Sequence, residues 1–266
     1  MILDSDFHRR YGPWAVVAGA SEGIGRAFAH ALAEKGLDLV LIARRSEPLE
    51  AEAKLLRRRH RVGVETVPLD LAAPDVKERF EAAIADKEVG LLVYNACFSD
   101  IGEFLAKDLD SKMKTLDVNC RGPVTLSTVM AERLVARGKG GILLMSSMSG
   151  FQGTAMVSTY AASKAFDTVL GESLWAELGP KGVDVLVCVA GATTTPNFNA
   201  QTPKEKQGGV FPMDPEAVAR GALANLKNGP IYIPGAMNRL VSVLGRVIGR
   251  KATVEFISKN TRKLYA

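Results

Sequence analysis

The chain has 266 residues, which allows one large α/β domain or two small ones. Hydrophobic residues make up 47% and charged residues 24%, the balance of an ordinary globular protein, so a disordered or fibrous chain is excluded. The formal net charge is +5. The dense basic cluster at 57–61 ends a helical pattern and is interpreted as a solvated helix face, so no nucleic-acid partner is expected.

The cysteines are odd in number and follow no metal-binding spacing. Cys97, Cys120 and Cys188 lie among apolar or small residues without a CxxC pattern, which favours reduced thiols in the cytoplasm and no metal site. The N-terminal segment carries acidic residues and no apolar run of signal-peptide length, and no uncharged apolar stretch approaches about 18 residues. A cytoplasmic protein is therefore expected.

Apolar runs of strand length alternate with helical patterns from residue 14 to residue 233, which is typical of a parallel sheet. The continuous apolar runs LVLIA and VDVLVCVA predict strands covered by helices on both faces, so the predicted fold is a doubly wound α/β sheet. Seven strands are predicted at 14–18, 37–43, 63–69, 91–94, 142–146, 183–189 and 231–233, and helices at 24–35, 47–60, 75–87, 111–137, 156–178 and 214–228.

A segment without clear periodicity spans residues 193–213. A long loop of this kind inside a compact domain often covers an active site, so a substrate loop is predicted there. No linker divides the chain, and residues 1–266 are predicted to form a single domain.

The residues after Pro234 form an amphipathic pattern, with Leu240, Leu244, Val247 and Ile248 on one helical face. A C-terminal helical extension is therefore predicted over residues 236–266. Such a helix more often packs on its own protein or on a symmetry mate, although basic residues nearby leave contact with an anionic membrane surface as an alternative.

A glycine-rich turn follows the first predicted strand and opens the first predicted helix. Gly19, Gly23 and Gly25 give it the spacing GxxxGxG. Glycine permits unusual backbone angles and close approach of a pyrophosphate, whose charge is stabilised by free amides at a helix N-terminus. The turn predicts a dinucleotide site, and a glycine-rich turn without a ligand is the alternative.

Tyr160 and Lys164 are four residues apart on a predicted helix, which places their side chains on one face, about 5–6 Å apart at Cβ. A phenol has a reference pKa of about 10, and a nearby ammonium favours the phenolate and lowers that pKa. Tyr160 is therefore expected to donate or accept a proton near neutral pH.

Further motifs follow in a fixed order between about residue 12 and residue 235. They are Asn95-Ala96-Cys97 after the fourth strand, Asn119 in VNCRG, Ser147 at the end of LLMSS, and Tyr160-Ala-Ala-Ser-Lys164. Together with the glycine turn, this set resembles the short-chain dehydrogenase/reductase family. The resemblance implies a Rossmann-like fold and an oxidoreductase that interconverts a carbonyl and a secondary alcohol by hydride transfer with NAD(P). It also implies a dimer or tetramer assembled through the helices at 111–137 and 156–178.

The resemblance assigns a role to each member of a catalytic set. Tyr160 would transfer the proton, Lys164 would lower its pKa and hold the nicotinamide ribose, and Ser147 would hydrogen-bond the substrate oxygen. Asn119 would maintain a water link toward Lys164. The remaining cofactor contacts that the resemblance implies are Gly19, Ser21, Glu22, Gly23, Ile24, Gly25, Asp70, Leu71, Asn95, Ala96, Cys97, Gly191, Thr193 and Thr195.

The end of the second strand bears on the choice of dinucleotide. Ala43 offers no carboxylate for a ribose diol, whereas Arg44 and Arg45 offer donors suited to a 2′-phosphate, so NADP(H) is favoured over NAD(H). Solvated loop arginines are the alternative. Glu22 tempers this interpretation, because a carboxylate near the phosphate would repel it.

Three residues depart from the family pattern beside the cofactor: Ala18, Cys97 and Ala190. Cys97 replaces a glycine, and a buried packing role is favoured over redox sensing. The substrate residues expected from sequence are Ser147, Met148, Tyr160 and Phe198, in an apolar lining that also includes Phe151, Met156, Phe211 and Met213.

An apolar lining favours a hydrophobic ketone, such as a ketoacyl chain, a steroid-like ring or an aryl ketone. A non-catalytic nucleotide sensor or scaffold on the same fold is the alternative function, because a fold does not fix a function.

Overall fold

The computed structural model describes residues 5–202, 211–247 and 249–265. Its centre is a seven-stranded sheet in which every neighbouring pair is parallel. The strand order is β3-β2-β1-β4-β5-β6-β7. The strands are β1 Trp14–Ala18, β2 Asp38–Ala43, β3 Val64–Pro68, β4 Val89–Tyr94, β5 Gly140–Ser147, β6 Val183–Ala190 and β7 Ile231–Tyr232. The predicted fold class is confirmed.

Both faces of the sheet are buried. Successive residues of each strand point to opposite faces, so each strand contributes side chains to two separate cores. Ala15 and Val17 belong to one hydrophobic core and Val16 and Ala18 to a second. The α-helices in the described residues are α1 Ser5–Tyr11, α2 Gly23–Glu34, α3 Ser46–His60, α4 Val76–Ala83, α5 Leu109–Leu116, α6 Gly122–Arg137, α7 Ser158–Leu178, α8 Pro196–Gln201, α9 Pro215–Ala224, α10 Ala236–Val247 and α11 Arg250–Tyr265.

The single helix predicted over 111–137 is interrupted, and that prediction is wrong in this respect. A π-helical turn over Asp117–Arg121 separates α5 from α6. The buried Tyr94 hydroxyl donates to the Val118 carbonyl at 2.6 Å, which gives that carbonyl a partner outside the helix. Such turns are frequent at functional sites, and this one carries Asn119.

Other differences concern short elements and boundaries. Helix α4 ends at Ala83, earlier than predicted, while α1 and α8 were not predicted. The predicted loop at 193–213 contains α8, and its residues 203–210 lie outside the described part of the chain. Ile248 of the predicted apolar tail face also lies outside it. Within the described ranges, no helix is long and apolar enough to cross a bilayer.

The strand order reverses between β1 and β4, and the loops after these two strands pack against each other. A Cβ added to Gly19 would lie 2.7 Å from Ala96 Cα, and the Asn95 side chain donates to the Gly19 carbonyl at 3.1 Å. In open parallel sheets, ligands bind in the crevice outside the carboxyl ends of the strands at such a reversal. The fold therefore places the binding crevice beside Gly19 and Asn95.

Helix α1 is attached to the far end of the sheet through one carboxylate. Tyr11 is 1% exposed, and its hydroxyl donates to Asp184 Oδ2 at 2.6 Å. Arg10 Nη2 donates to the other carboxylate oxygen at 2.7 Å. The hydrogen bonds of Asp184 therefore connect the N-terminal helix to β6.

We expect Asp184→Ala to lower the free energy of unfolding by about 1–3 kcal/mol, because it leaves the Tyr11 hydroxyl and the Arg10 guanidinium without their acceptor. Urea unfolding followed by circular dichroism measures the change. Asp6→Ala is the matched control, since Asp6 pairs with Arg9 on the surface and its loss should change stability by less than about 0.5 kcal/mol. Equal losses in the two variants would contradict the anchoring role.

Candidate active site

A cleft of about 680 Å³ extends along the carboxyl ends of the strands. Its walls come from the loops after β1 to β6 and from α7, α8 and α11. Of the residues predicted to contact the cofactor, those that line the cleft are Gly19, Ser21, Glu22, Gly23, Ile24, Arg44, Arg45, Asp70, Leu71, Asn95, Ala96, Cys97, Tyr160, Lys164, Gly191, Thr193 and Thr195. One continuous cleft thus brings together motifs that are far apart in the sequence.

The glycine turn forms a cradle at the N-terminus of α2. Gly19 and Gly23 have φ values of +82° and +57°, a region that side chains rarely tolerate. A Cβ at Gly23 would lie 3.0 Å from Thr195, and α2 begins at Gly23 with its first amides unpaired within the helix. This cradle suits a pyrophosphate, so the residues present fit a dinucleotide.

Gly25 does not line the cleft. A Cβ at this position would lie 1.9 Å from the Gly19 carbonyl oxygen. Gly25 therefore allows α2 to pack closely beneath the turn, and any contribution to cofactor binding is indirect.

Two arginines follow β2 and have different surroundings. Arg45 donates to Glu22 at 2.6 Å, so the carboxylate that would repel a phosphate is paired. Arg44 lines the cleft, and among the described residues it makes no ion pair. Its guanidinium is available to an anionic ligand.

The catalytic set predicted from sequence meets at the ends of β5 and α7. Ser147 is the last residue of β5, and Tyr160 lies in the first turn of α7. Lys164 follows one turn later, with its Nζ 5.9 Å from the centre of the Tyr160 ring. Ser147, Tyr160 and Lys164 all line the cleft.

Lys164 forms a buried ion pair with Asp167, a residue that no sequence motif indicates. Its ammonium donates to Asp167 Oδ2 and to the Met145 carbonyl, both at 2.9 Å, and both charged side chains are almost fully buried. Burial is the largest single influence and opposes the charged form of Lys164, but the Asp167 carboxylate, together with Cys97 and Tyr160, raises the pKa of Lys164 above its usual value. Asp167 therefore keeps this lysine charged.

Tyr160 differs from the expectation of a lowered pKa. Burial is the largest influence and raises the pKa of Tyr160 to about 12, whereas the charge of Lys164 and a hydrogen bond with Ser147 lower it. The spacing of Tyr160 and Lys164 indicates that they are close, but not that the burial of the phenol outweighs the lysine charge. Tyr160 is thus a protonated phenol at neutral pH in this structure.

Asn119 lies behind the cleft wall. Its carboxamide accepts from Phe98 N at 2.8 Å and donates to Phe98 O and to Ser163 Oγ, both at 2.9 Å. Ser163 in turn donates to the Tyr160 carbonyl at 2.8 Å. The Asn119 side chain thereby joins the loop after β4 to the first turn of α7, and its expected water link toward Lys164 stays a prediction.

The substrate end of the cleft differs from the predicted lining. Phe198 lines it, but Met148, Phe151, Met156, Phe211 and Met213 do not. Met148–Phe151 form a 3-10 turn that contacts α10, Met156 is buried, and Met213 packs against the core. Phe211 is 90% exposed to solvent. Apolar character alone therefore does not distinguish side chains that line the cleft from those that pack elsewhere or face solvent.

The C-terminal helix supplies wall residues that the sequence analysis did not assign to the site: Ile257, Thr261, Leu264 and Tyr265. Helix α11 is docked on the segment after β5 by a 2.9 Å bond between the Thr154 and Thr261 hydroxyls and a 3.1 Å bond from Ala155 N to Ser258 Oγ. The amphipathic pattern after residue 236 was the available signal, but it does not indicate what the helix packs against.

Cys97 corrects a further expectation. Its side chain is exposed and lines the cleft, so it is not a buried packing residue. The Cys97 side chain, which stands where the family pattern has glycine, therefore extends into the binding crevice.

Comparisons with known proteins agree with this geometry. The model of the short chain dehydrogenase family matches residues 13–206. The 7beta-hydroxysteroid dehydrogenase of Clostridium sardiniense is 31% identical over 234 residues, which cover 88% of this chain and 90% of that protein. The very-long-chain 3-oxoacyl-CoA reductase of Podospora anserina is 38% identical over 203 residues, which cover 73% of this chain and 59% of that protein.

A solved structure from a study of 7beta-hydroxysteroid dehydrogenase stereoselectivity superposes with a TM-score of 0.89 at 25% identity, covering 94% of this chain and 98% of that one. The family match, the parallel sheet and the crevice with its glycine cradle point to one conclusion. The chain belongs to the short-chain dehydrogenase/reductase family and is an NAD(P)-dependent oxidoreductase that acts on CH–OH groups.

Proposed function

We propose that the protein interconverts a hydrophobic ring ketone of steroid type and its secondary alcohol, with NADP(H) as the preferred cofactor. The observation that carries the proposal is a single cleft with Ser147, Tyr160 and Lys164 along its wall and Arg44 among its lining residues. Such a cleft would hold a dinucleotide in the crevice at the strand ends and a carbonyl beside Tyr160.

The chemistry of the lining supports a substrate without strong charge. Apolar side chains line the cleft at Phe98, Ile101, Val157, Phe198 and Leu264. Within the described chain, the cations that line the cleft are Lys164 and the two arginines after β2. Arg44 and Arg45 flank the cofactor cradle, so the phosphates of an acyl-CoA would lack a cationic partner near Ser147.

The relatives support the same choice between substrate classes. The likeness to the 7beta-hydroxysteroid dehydrogenase structure extends over almost the whole chain, whereas the likeness to the oxoacyl-CoA reductase covers a smaller share. Because α11 forms part of the cleft wall, a relative that matches nearly the full chain is the better guide to the substrate.

In the proposed reaction, the bound NADPH supplies the hydride for reduction of the ketone. The Ser147 and Tyr160 hydroxyls hydrogen-bond the carbonyl oxygen, and Tyr160 donates its proton as negative charge develops there. In the oxidative direction, Tyr160 accepts the proton of the alcohol. A phenol that is protonated at neutral pH suits the reductive role, because the proton is already in place.

Lys164 holds its charge beside that phenol. An ammonium has three N–H donors, and two of them bind Asp167 and Met145. The third is left for a hydroxyl of the nicotinamide ribose. As Tyr160 gives up its proton, the lysine charge stabilises the phenolate.

Arg44 is the residue that we assign to cofactor choice. Its guanidinium is exposed in the cleft, while Glu22 is neutralised by Arg45. An unpaired guanidinium binds the 2′-phosphate of NADP(H) more strongly than a ribose diol.

A homo-oligomer remains part of the proposal. Large apolar side chains are exposed on α5, α6 and α7, the helices expected to form the interface, at Leu109, Met113, Leu116, Val124, Phe166, Val169 and Trp175. An exposed apolar surface of this kind is typical of a protein interface.

We expect Tyr160→Phe to reduce turnover of a steroid ketone with NADPH by about 10²- to 10⁴-fold, because the proton donor is lost. Binding of NADPH, measured by fluorescence titration, should stay within a few-fold of wild type. Tyr232→Phe is the matched control, since Tyr232 does not line the cleft, and it should retain full turnover. Undiminished turnover in Tyr160→Phe would refute the assigned proton donor.

Arg44→Ala should weaken NADPH binding by about tenfold or more and leave NADH binding nearly unchanged, because only NADPH carries the 2′-phosphate. Fluorescence titration with each nucleotide measures the two affinities. Arg58→Ala removes an exposed arginine of α3 that does not line the cleft, and it should alter neither. Equal weakening for both nucleotides by Arg44→Ala would rule out a role in discrimination.

Asp167→Asn should shift the pH profile of alcohol oxidation to higher pH. Removing the carboxylate lowers the pKa of the buried Lys164 and weakens the positive charge that stabilises the Tyr160 phenolate, so the phenolate that accepts the proton forms at higher pH. The rate of oxidation as a function of pH measures the shift, and Asp167→Glu should restore the original profile. An unchanged profile in a folded Asp167→Asn protein would show that the ion pair does not tune Tyr160.

A further inference from the structure

Helix α10 turns its apolar side outward. Its apolar face consists of Met237, Leu240, Val241, Val243 and Leu244, and all five side chains are exposed, by 46% to 68%. The polar residues Asn238 and Ser242, on the opposite side of the helix, are half-buried. Surface helices normally bury the apolar side against their own protein, so the orientation of α10 is the reverse of the usual one.

Contacts at both ends fix this orientation. In the first turn, the Asn238 side chain donates to the Pro234 carbonyl at 2.8 Å and contacts Met213. Beyond the last turn, Arg250 donates to the Phe151 carbonyl at 3.3 Å, and α11 is docked along the cleft. The α10 apolar face is therefore held on the outside of the protein.

The positive charge of the chain is concentrated in the C-terminal segment that contains α10 and α11. Residues 236–266 contain seven basic residues and one acidic residue, a formal charge of +6, whereas the whole chain carries +5. The remaining residues together are thus close to neutral. An exposed apolar helix face within a strongly basic segment matches the surface of a bilayer that contains anionic lipids.

A second copy of the chain is a weaker candidate for the same face. In a two-fold symmetric contact, each surface meets its own copy, so the cations of one tail would face those of the other. That arrangement costs electrostatic free energy, whereas anionic headgroups lower it. The exposed apolar residues of α5–α7 offer copies of the chain a different surface.

We propose that the α10 apolar face lies in the headgroup region of an anionic lipid bilayer and binds the protein peripherally to that surface. Leu240 and Leu244 insert between acyl chains, and basic residues of the tail contact lipid phosphates. Because α11 is both the continuation of this segment and a wall of the cleft, membrane contact would bring the cleft close to lipid-dissolved molecules. The proposal is independent of the substrate, since binding is measured without one.

Co-sedimentation of the full chain with vesicles tests the proposal. We expect the wild type to bind vesicles of mixed phosphatidylglycerol and phosphatidylcholine, with an affinity that falls as salt is added, and to bind pure phosphatidylcholine vesicles far more weakly. Leu240→Glu/Leu244→Glu should reduce binding to the anionic vesicles by about tenfold or more, because it removes the inserted side chains and adds negative charge.

Arg58→Gln/Arg59→Gln is the matched control, because it changes the net charge by the same amount at exposed positions of α3. It should bind as the wild type does, and both double variants should bind NADPH normally, which shows that they are folded. Three results would overturn the proposal: no binding by the wild type, equal binding to both vesicle types, or equal losses in the two double variants. Light scattering identifies a second copy as the occupant if only Leu240→Glu/Leu244→Glu changes the oligomeric state while the wild type binds no vesicles.

Discussion

In a parallel sheet, the carboxyl ends of all strands lie at the same edge, and this geometric constraint brings the functional residues together. The chain adds strands outward from β1 to β3 and then returns to place β4 on the other side of β1. The loops after β1 and β4 meet at Gly19 and Ala96, and the crevice opens there. Each later strand adds residues to the same edge, ending with Ser147 at the end of β5 and Gly191 after β6. The glycine cradle and Tyr160, the proposed proton donor, therefore line one crevice although about 140 residues separate them in the chain.

At the reacting end of this crevice, a buried ion pair sets the protonation of the site. Burial disfavours the charged form of Lys164, and the Asp167 carboxylate, 2.9 Å away, stabilises that form. Burial raises the pKa of Tyr160, and the charge that Asp167 stabilises on Lys164 offsets part of that increase. Reduction needs the protonated phenol and oxidation needs the phenolate, so the burial of Tyr160 favours the reductive direction.

Much of this arrangement could be predicted from sequence, because its signals are local. The glycine spacing, the apolar strands and the four-residue interval between Tyr160 and Lys164 each indicate local geometry, and parallel-sheet topology determines how these parts meet. Non-local contacts could not be predicted. The π-helical turn depends on the Tyr94 hydroxyl, the pairing of Glu22 with Arg45 joins two loops, and the inward face of α11 depends on Thr154. Hydrophobicity could not sort the apolar residues expected around the substrate into cleft and core, which is why Met148 and Met213 do not line the cleft while Phe198 does.

In the proposed reaction, this cleft passes a hydride from a nicotinamide ring to a hydrophobic ketone. The most direct measurement uses NADPH that carries deuterium at both C4 positions, with a steroid ketone as substrate and mass spectrometry of the alcohol. We expect each product molecule to carry one deuterium atom, at the carbon that bore the carbonyl oxygen. An alcohol without the label, or no alcohol from any steroid ketone despite tight NADPH binding, would contradict it.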